Sequence, residues 1–257
     1  MRAGALLVAL LLAARVAAAG TEITVETRRA GAPPDAKPQQ SLIAVEGRRL
    51  HADAGNGRHA LVYRGEPGIL QILDHAEKSV LTLDRATARS VKQGVGGARG
   101  AVRGLPEPQR RALERLLGAE GPAAAVEPRP SGRSDRVNGV ACRLLEVLRD
   151  GARLAEICEG PRGAAGVTPE ALAPVRELAA FAAELGSLLP ASLAGEGLDA
   201  LVLVEQVEGV PLRVRAWPKD APATESRIVR AVAKRFGPER FQVPPGYASR
   251  LGVGVRD

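Results

Sequence analysis

The sequence predicts a mainly β (α+β) protein: a curled antiparallel meander, or half-open β-barrel, of about ten strands with two helical insertions across its concave face. Apolar and polar residues alternate with period two in many short segments, as in residues 22–28. Gly, Pro, Asn and Asp separate these segments, and loops this short connect antiparallel strands. Two other stretches have helical spacing of leucine.

The predicted strands are short, and turn residues bound most of them. They are residues 22–28, 41–53, 58–64, 69–74, 79–84, 137–148, 153–159, 201–207, 211–217 and 226–232. The turns among the first of these lie at 55–57, 65–68 and 74–77. A sheet of this size twists and curls on itself.

Two helices and two flexible insertions interrupt the strands. Residues 92–105 and 118–135 are rich in Gly, Ala and Pro and predict loops, and residues 106–117 predict a short helix. A longer helix is predicted at 169–189, with Thr168 as its N-cap and Pro169 in its first turn. We expect one domain over residues 20–257.

The amino terminus has the features of a secretory signal peptide over residues 1–19. Arg2 precedes a short apolar run, and small residues end it at Ala17–Ala19. An uncleaved membrane anchor is the alternative, but the run is much shorter than the ~20 residues of a spanning helix. We therefore expect a periplasmic or secreted protein without a transmembrane segment after cleavage.

The amino-acid composition indicates a folded protein and argues against nucleic-acid binding. The 257 residues are 45% hydrophobic and 25% charged, which is typical of a folded protein, and the net charge is +7. Only 2% are aromatic, so base stacking cannot support nucleic-acid binding, and no nucleic acid is expected as a partner. The basic residues are mostly scattered arginines, a pattern that genomic coding bias also produces.

The two cysteines predict a structural disulfide. Cys142 and Cys158 flank the turn signal Arg149-Asp150-Gly151 at equal distances from Asp150, so they would face each other on neighbouring strands. A redox-active pair would have Cys-x-x-Cys spacing, which is absent. Two free thiols are the alternative.

The long helix carries an apolar stripe with two interpretations. Its members recur three or four residues apart: Leu172, Val175, Leu178, Phe181, Leu185 and Leu189. Core packing against the sheet explains such a stripe. The other interpretation is a lid that lines a cavity for a lipid or another apolar ligand.

No catalytic constellation is visible, and neither a cofactor nor a metal is expected. His51, His59 and His75 lack the spacing of a helical metal site. The glycine-rich segment 94–100 lacks the Lys-Ser/Thr of a P-loop. We therefore predict that the protein is not an enzyme.

Three segments resemble a known family of exported domains. They are Leu-Asp-His-Ala-Glu-Lys-Ser-Val-Leu-Thr-Leu-Asp at 73–84, Val-Asn-Gly-Val-Ala-Cys at 137–142 and Phe-Gln-Val-Pro-Pro-Gly-Tyr at 241–247. They are similar to an uncharacterised secreted bacterial domain family with the periplasmic lipoprotein-carrier (LolA/LolB-like) half-barrel fold. The resemblance implies a periplasmic location and binding of acyl chains, and it implies no catalytic residue.

Together these features predict an exported, non-enzymatic binding protein that holds a lipid or other apolar ligand between helices and sheet. The alternative is a cell-envelope interaction or stress-sensing module without a small ligand, which would bind an envelope protein through a sheet edge or an arginine-rich face.

Overall fold

The described residues form a single open sheet of twelve strands with one long helix on one face. The computed structural model describes residues 20–33, 35–85, 126–149, 151–185, 204–205, 207–218 and 222–250. The strand order is β12-β6-β5-β4-β3-β2-β1-β11-β10-β9-β8-β7. The first and last strands of this order are not paired with each other, so the sheet is open rather than closed into a barrel.

The twelve strands and the helix have the following bounds: β1 Gly20–Arg29, β2 Gln39–Glu46, β3 Arg49–Asp53, β4 His59–Arg64, β5 Ile69–Asp74, β6 Ser79–Asp84, β7 Val126–Val137, β8 Val140–Arg149, β9 Ala152–Gly160, α1 Pro169–Leu185, β10 Val210–Ala216, β11 Thr224–Lys234 and β12 Ala248–Arg250.

Two antiparallel meanders meet at the centre of the sheet. Strands β2–β6 form one wing, called here the first wing, and β7–β11 form the second wing. β1 pairs with β2 on one side and with β11 on the other. All described pairs are antiparallel except β12 with β6, where three residues run parallel. The predicted antiparallel meander is therefore present, with twelve strands instead of ten.

The prediction of one strand over residues 41–53 was wrong, because a hairpin divides it into β2 and β3. Gly47 turns the chain with φ of 57°, a left-handed conformation that glycine adopts without strain. Val45 then pairs with Leu50 across the turn. Residues 46–49 (Glu-Gly-Arg-Arg) interrupt the alternation, and the apolar positions change from Ile43 and Val45 to Leu50 and Ala52, which is the pattern of a turn.

The predicted flexible insertion at 118–135 was wrong for residues 126–135, which belong to β7. This strand lies at the sheet edge and carries Pro128 and Pro130. Proline is accepted at an edge because its missing N–H removes no bond within the ladder when that side faces outward. An edge strand that contains proline therefore has a composition similar to that of a loop.

The strand predicted at 201–207 was wrong at the residues that the structure describes, since Val204 and Glu205 are helical and Val207 is in no strand; residues 201–203 and 206 lie outside the described residues. A short apolar run suits a buried helical turn as well as a strand, and periodicity does not separate the two. The flexible insertion at 92–105 and the helix at 106–117 lie outside the described residues.

The helix α1 lies on one face of the sheet, called here the helix face, against β2, β3 and β4. The Thr168 hydroxyl caps it by accepting a hydrogen bond from the N–H of Ala171 at 3.3 Å. Pro174 lies inside α1, which continues to Leu185, and the predicted last turn to residue 189 lies outside the described residues.

The C-terminal segment covers the opposite face of the first wing, called here the back face. Val243 and Tyr247 pack on the buried residues Leu73 and Val80. Arg240 bonds the carboxylate of Asp53 at 2.7 Å and holds the segment to β3. This segment therefore covers the back face of the first wing. No helix in the described part of the chain is long and apolar enough to span a membrane.

Candidate functional site

The apolar stripe of α1 is packed into the core. Leu172, Val175, Leu178 and Phe181 are each at most 5% exposed. The Phe181 ring lies 6.1 Å from that of Tyr63, which is fully buried on β4. Leu185 is the last residue of α1, and Leu189 lies outside the described residues. A role of these six residues in lining a ligand site stays a prediction.

Beneath the helix, one row of side chains crosses the first wing and is sealed from solvent. Val45, Leu50, Tyr63 and Leu70 pair in register on neighbouring strands and are almost completely buried. They form a common cluster with Val175, Leu178 and Phe181 of α1. This row, called here the sealed row, fixes the helix on the sheet.

Beside it lies a parallel row of apolar side chains that is only partly buried. Register places five residues in line on the helix face, two positions along each strand from the sealed row. This row, called here the open row, consists of Ile43, Ala52, Leu61, Ile72 and Leu81. Each is partly exposed, whereas the sealed row is not.

Polar residues border the open row on its far side. His59 pairs in register with Asp74, and Asp74 pairs with Ser79, again two positions further along the strands. The His59 ring nitrogen lies 3.6 Å from the Asp74 carboxylate, which also accepts a hydrogen bond from Arg58. An apolar strip with a polar margin suits a ligand that has both an apolar and a polar part.

A second, charged feature lies on the helix face of the second wing. Two adjoining clefts of about 320 and 240 Å³ open where β9 ends and α1 begins, and both are lined by Arg162 and Glu208. Arg143 and Glu159 line the larger cleft, and Arg176 lines the smaller. Neither cleft lies over the open row.

Glu159 organises the larger cleft. Its buried carboxylate accepts hydrogen bonds from Arg143 at 2.5 Å and from the Gly209 N–H at 2.6 Å. Burial raises the pKa of Glu159, but these two hydrogen bonds, the charge of Arg143 and a hydrogen bond with the Glu208 backbone together outweigh burial and hold the pKa below its ordinary value. Residue 209 must be glycine, because a Cβ there would lie 2.1 Å from the Gly160 carbonyl oxygen.

Arg176 fixes the loop that forms the other wall. Its Nη2 donates to the carbonyls of Val207, Glu208 and Gly209 at 2.8–3.2 Å. Its Nε is buried and has no hydrogen-bond partner among the described residues. Sequence reasoning missed this group, because residues 143, 162, 176 and 208 come together only through the register of β8 and β9 and the position of α1.

The structure joins Cys142 and Cys158 in a disulfide, with their Cα atoms 5.4 Å apart. The symmetry of the turn predicted that the two cysteines lie directly opposite each other. In the structure they do not. Cys158 pairs with Leu144 instead, because Arg149 pairs with Ala152 rather than with Gly151, and a bulge between Val147 and Leu148 shifts the register by one more residue. The bond is therefore diagonal across the strands. A disulfide of this kind fits an oxidising compartment.

The three histidines lie apart. His51 is buried on the back face with Nδ1 3.8 Å from Asp53, whereas His75 bonds the hydroxyl of Tyr247 in the C-terminal segment. Within the described ranges, no group of three or more His, Cys, Asp or Glu side chains is arranged to hold a metal ion.

Comparisons with known proteins give distant structural similarity only. No protein-family model and no curated protein matches the chain. An uncharacterised conserved protein from Thermus thermophilus is 8% identical with a TM-score of 0.44, covering 91% of this chain and 90% of that one. A structure of PNGF-II is 8% identical with a TM-score of 0.38, and the match spans 90% of this chain but 30% of that one.

A LolA superfamily protein from Nitrosomonas europaea is also 8% identical, with a TM-score of 0.30 over 88% of this chain and 90% of that one. At these identities and TM-scores the similarities carry no argument about function. The fold class and the site geometry therefore have to support any proposal.

Proposed function

We propose that this chain is an exported, non-enzymatic binding protein that holds an acyl chain or a similar apolar ligand along the open row. The observation that carries the proposal is the difference in exposure between two adjacent rows. The sealed row under α1 is almost completely buried, whereas Leu61 and Ile72 in the open row remain partly exposed.

The geometry suits an extended ligand. Five apolar side chains lie in register on five neighbouring strands, which at ~4.8 Å per strand gives a strip of roughly 19 Å. That length matches an acyl chain better than a compact ligand. Covering this strip would bury apolar area at about 25 cal/mol per Å². The polar margin at His59 and Asp74 would face the hydrated end of the ligand.

Export is part of the proposal and rests on two observations. Residues 1–19 have the layout of a signal peptide. The disulfide between Cys142 and Cys158 fits an oxidising compartment such as the periplasm. The absence of enzymatic activity is proposed because all five side chains of the open row are apolar.

The test is binding of N-phenyl-1-naphthylamine, a fluorophore that brightens in apolar surroundings. The double variant Leu61→Gln/Ile72→Gln should lower the affinity for this probe by about tenfold or more, because two polar amides then face the ligand. Decanoic acid should displace the probe from the wild-type protein. Val229→Gln is the matched control, since Val229 is an exposed apolar residue on β11.

Equal affinity of the double variant and the wild type, with unchanged circular dichroism, would refute the open row as the site. Failure of the wild type to bind the probe would refute apolar binding as such.

A second candidate is an envelope interaction module, which the back face of the second wing favours. There Glu225, Arg215, Glu156 and Glu146 pair in register on four strands and form a charged row. Binding of an envelope protein through this row would weaken sharply with ionic strength, whereas binding of an apolar ligand would not.

A further inference from the structure

We infer that the two clefts at the start of α1 form a binding site for a phosphate group, separate from the open row. The clefts adjoin each other because both are lined by Arg162 and Glu208. Arginine supplies a planar fork of donors that matches phosphate oxygens. Three arginines line the pair of clefts: Arg143, Arg162 and Arg176.

Arg162 is the side chain that can contact a ligand from either cleft. It is exposed, and among the described residues it makes no hydrogen bond and no ion pair. It also lies between two fixed walls, since Arg143 is held by Glu159 and Arg176 is held by the carbonyls of residues 207–209. Arg162 is therefore a donor without a partner that lies beside donors already held in place, and it is available to an anion in either cleft.

Arg176 also supplies a donor to the smaller cleft. Its Nη2 is bonded to the carbonyls of residues 207–209, and its Nε is sealed from solvent. Its Nη1 makes no hydrogen bond within the described part of the chain, and the Arg176 side chain lines the smaller cleft. A phosphate oxygen in this cleft would accept a hydrogen bond from the Arg176 Nη1.

The carboxylates in the clefts do not cancel the three arginines. Both oxygens of Glu159 are already occupied, one by Arg143 and the other by the Gly209 N–H. Glu208 is exposed, and its backbone contacts Arg176 and Glu159, but its side-chain carboxylate makes no hydrogen bond or ion pair with the described residues. Glu208 is therefore the only acidic side chain lining the two clefts that competes with an incoming anion.

The test is a titration of the ¹⁵N-labelled mature protein with sodium phosphate at constant ionic strength, followed by amide shifts of Gly163 and Gly209. The wild type should show saturable shifts. Arg162→Gln should weaken binding by about tenfold or more, because a charge-assisted hydrogen bond is lost. Arg250→Gln, which removes another exposed arginine, on the edge strand β12 and not in either cleft, should leave binding unchanged.

Glu208→Gln gives the sharper readout, since a merely structural role of the clefts would not improve binding. Removing the competing carboxylate should tighten phosphate binding by about threefold. Shifts that stay linear in the wild type, equal affinity in Arg162→Gln, or no gain in Glu208→Gln would each overturn the inference.

A second arm identifies the source of the phosphate group. Glycerol 3-phosphate binding at least tenfold tighter than inorganic phosphate would indicate a lipid headgroup, and equal affinities would indicate free phosphate. Both results support a phosphate site. Because no apolar chain is present in either titration, the outcome does not depend on the open row.

Discussion

The back faces of the two wings are stabilised in different ways. In the first wing, Ala60, Leu73 and Val80 pair in register and are covered by Val243 and Tyr247 of the C-terminal segment. In the second wing, the corresponding surface is the charged row around Glu156 and Glu146. The back face of the first wing is apolar because the C-terminal segment covers it. On the back face of the second wing, charged side chains pair with one another across neighbouring strands.

The charged row is built around one buried carboxylate. Glu156 is 4% exposed, and it accepts hydrogen bonds from Arg153 at 2.8 Å and from Arg133 at 3.0 Å. Arg213 and Arg215 lie within 3.8 Å of the same carboxylate. Arg153 also stacks on the ring of Trp217 at 4.2 Å. The comparison shows that a sheet face that no segment of the described residues covers can be stabilised by its own ion pairs.

The largest effect is expected in the covered wing. Leu73→Ala should lower the free energy of unfolding by about 2–5 kcal/mol, because Leu73 is almost fully buried and its truncation leaves a cavity. Urea denaturation measures this. The matched variant Glu146→Ala in the charged row should cost less than about 1 kcal/mol, since Glu146 is partly exposed. Equal losses in the two variants would contradict the comparison.

A smaller effect is expected at the centre of the charged row. Glu156→Gln keeps the volume of the side chain but removes the charge, so the hydrogen bonds from Arg133 and Arg153 lose their charge assistance. We expect a loss of about 1–3 kcal/mol in urea denaturation. Repeating the denaturation in 1 M sodium chloride should shrink the difference. A neutral or stabilising substitution would show that the row is not stabilised through Glu156.

The smallest effect is a pH dependence under the C-terminal segment. Burial lowers the pKa of His51, Arg240 of the C-terminal segment and His75 lower it further, and Asp53 opposes them. A histidine with a lowered pKa in the folded state contributes stability that is present above about pH 6.5 and is lost as the pH falls toward the lowered value. Stability should fall by about 1 kcal/mol between pH 7.5 and pH 5.5.

Urea denaturation at several pH values measures this loss, and His51→Gln should remove it. His59→Gln is the control, since His59 lies on the other face of the same sheet. An unchanged pH dependence in His51→Gln would assign the loss to other groups.

Local chemistry predicted the strands whose turns are marked by Gly, Asp or Pro. β5 and β6 have the predicted bounds because Gly68 and the Asp74 turn delimit them, and Asp74 accepts hydrogen bonds from the N–H groups of Ala76 and Glu77.

The sequence pattern did not predict how segments far apart in the chain are arranged. The open row exists only because five strands pair in one register, and the clefts exist because Arg143 and Arg176, far apart in the chain, meet beside Gly209. The edge strand β7 was missed because its prolines have the composition of a loop. Register, edges and helix position depend on tertiary pairing, which local periodicity does not encode.

The prolines of β7 also determine how copies of this protein behave toward one another. An exposed edge strand can pair with a strand of another molecule through its unpaired main-chain hydrogen-bond donors. Pro128 and Pro130 have no such donor to give, and the opposite border ends in the three-residue strand β12. Both borders therefore offer a poor template for further strands, which protects this wide, unclosed sheet from fibril-like self-association.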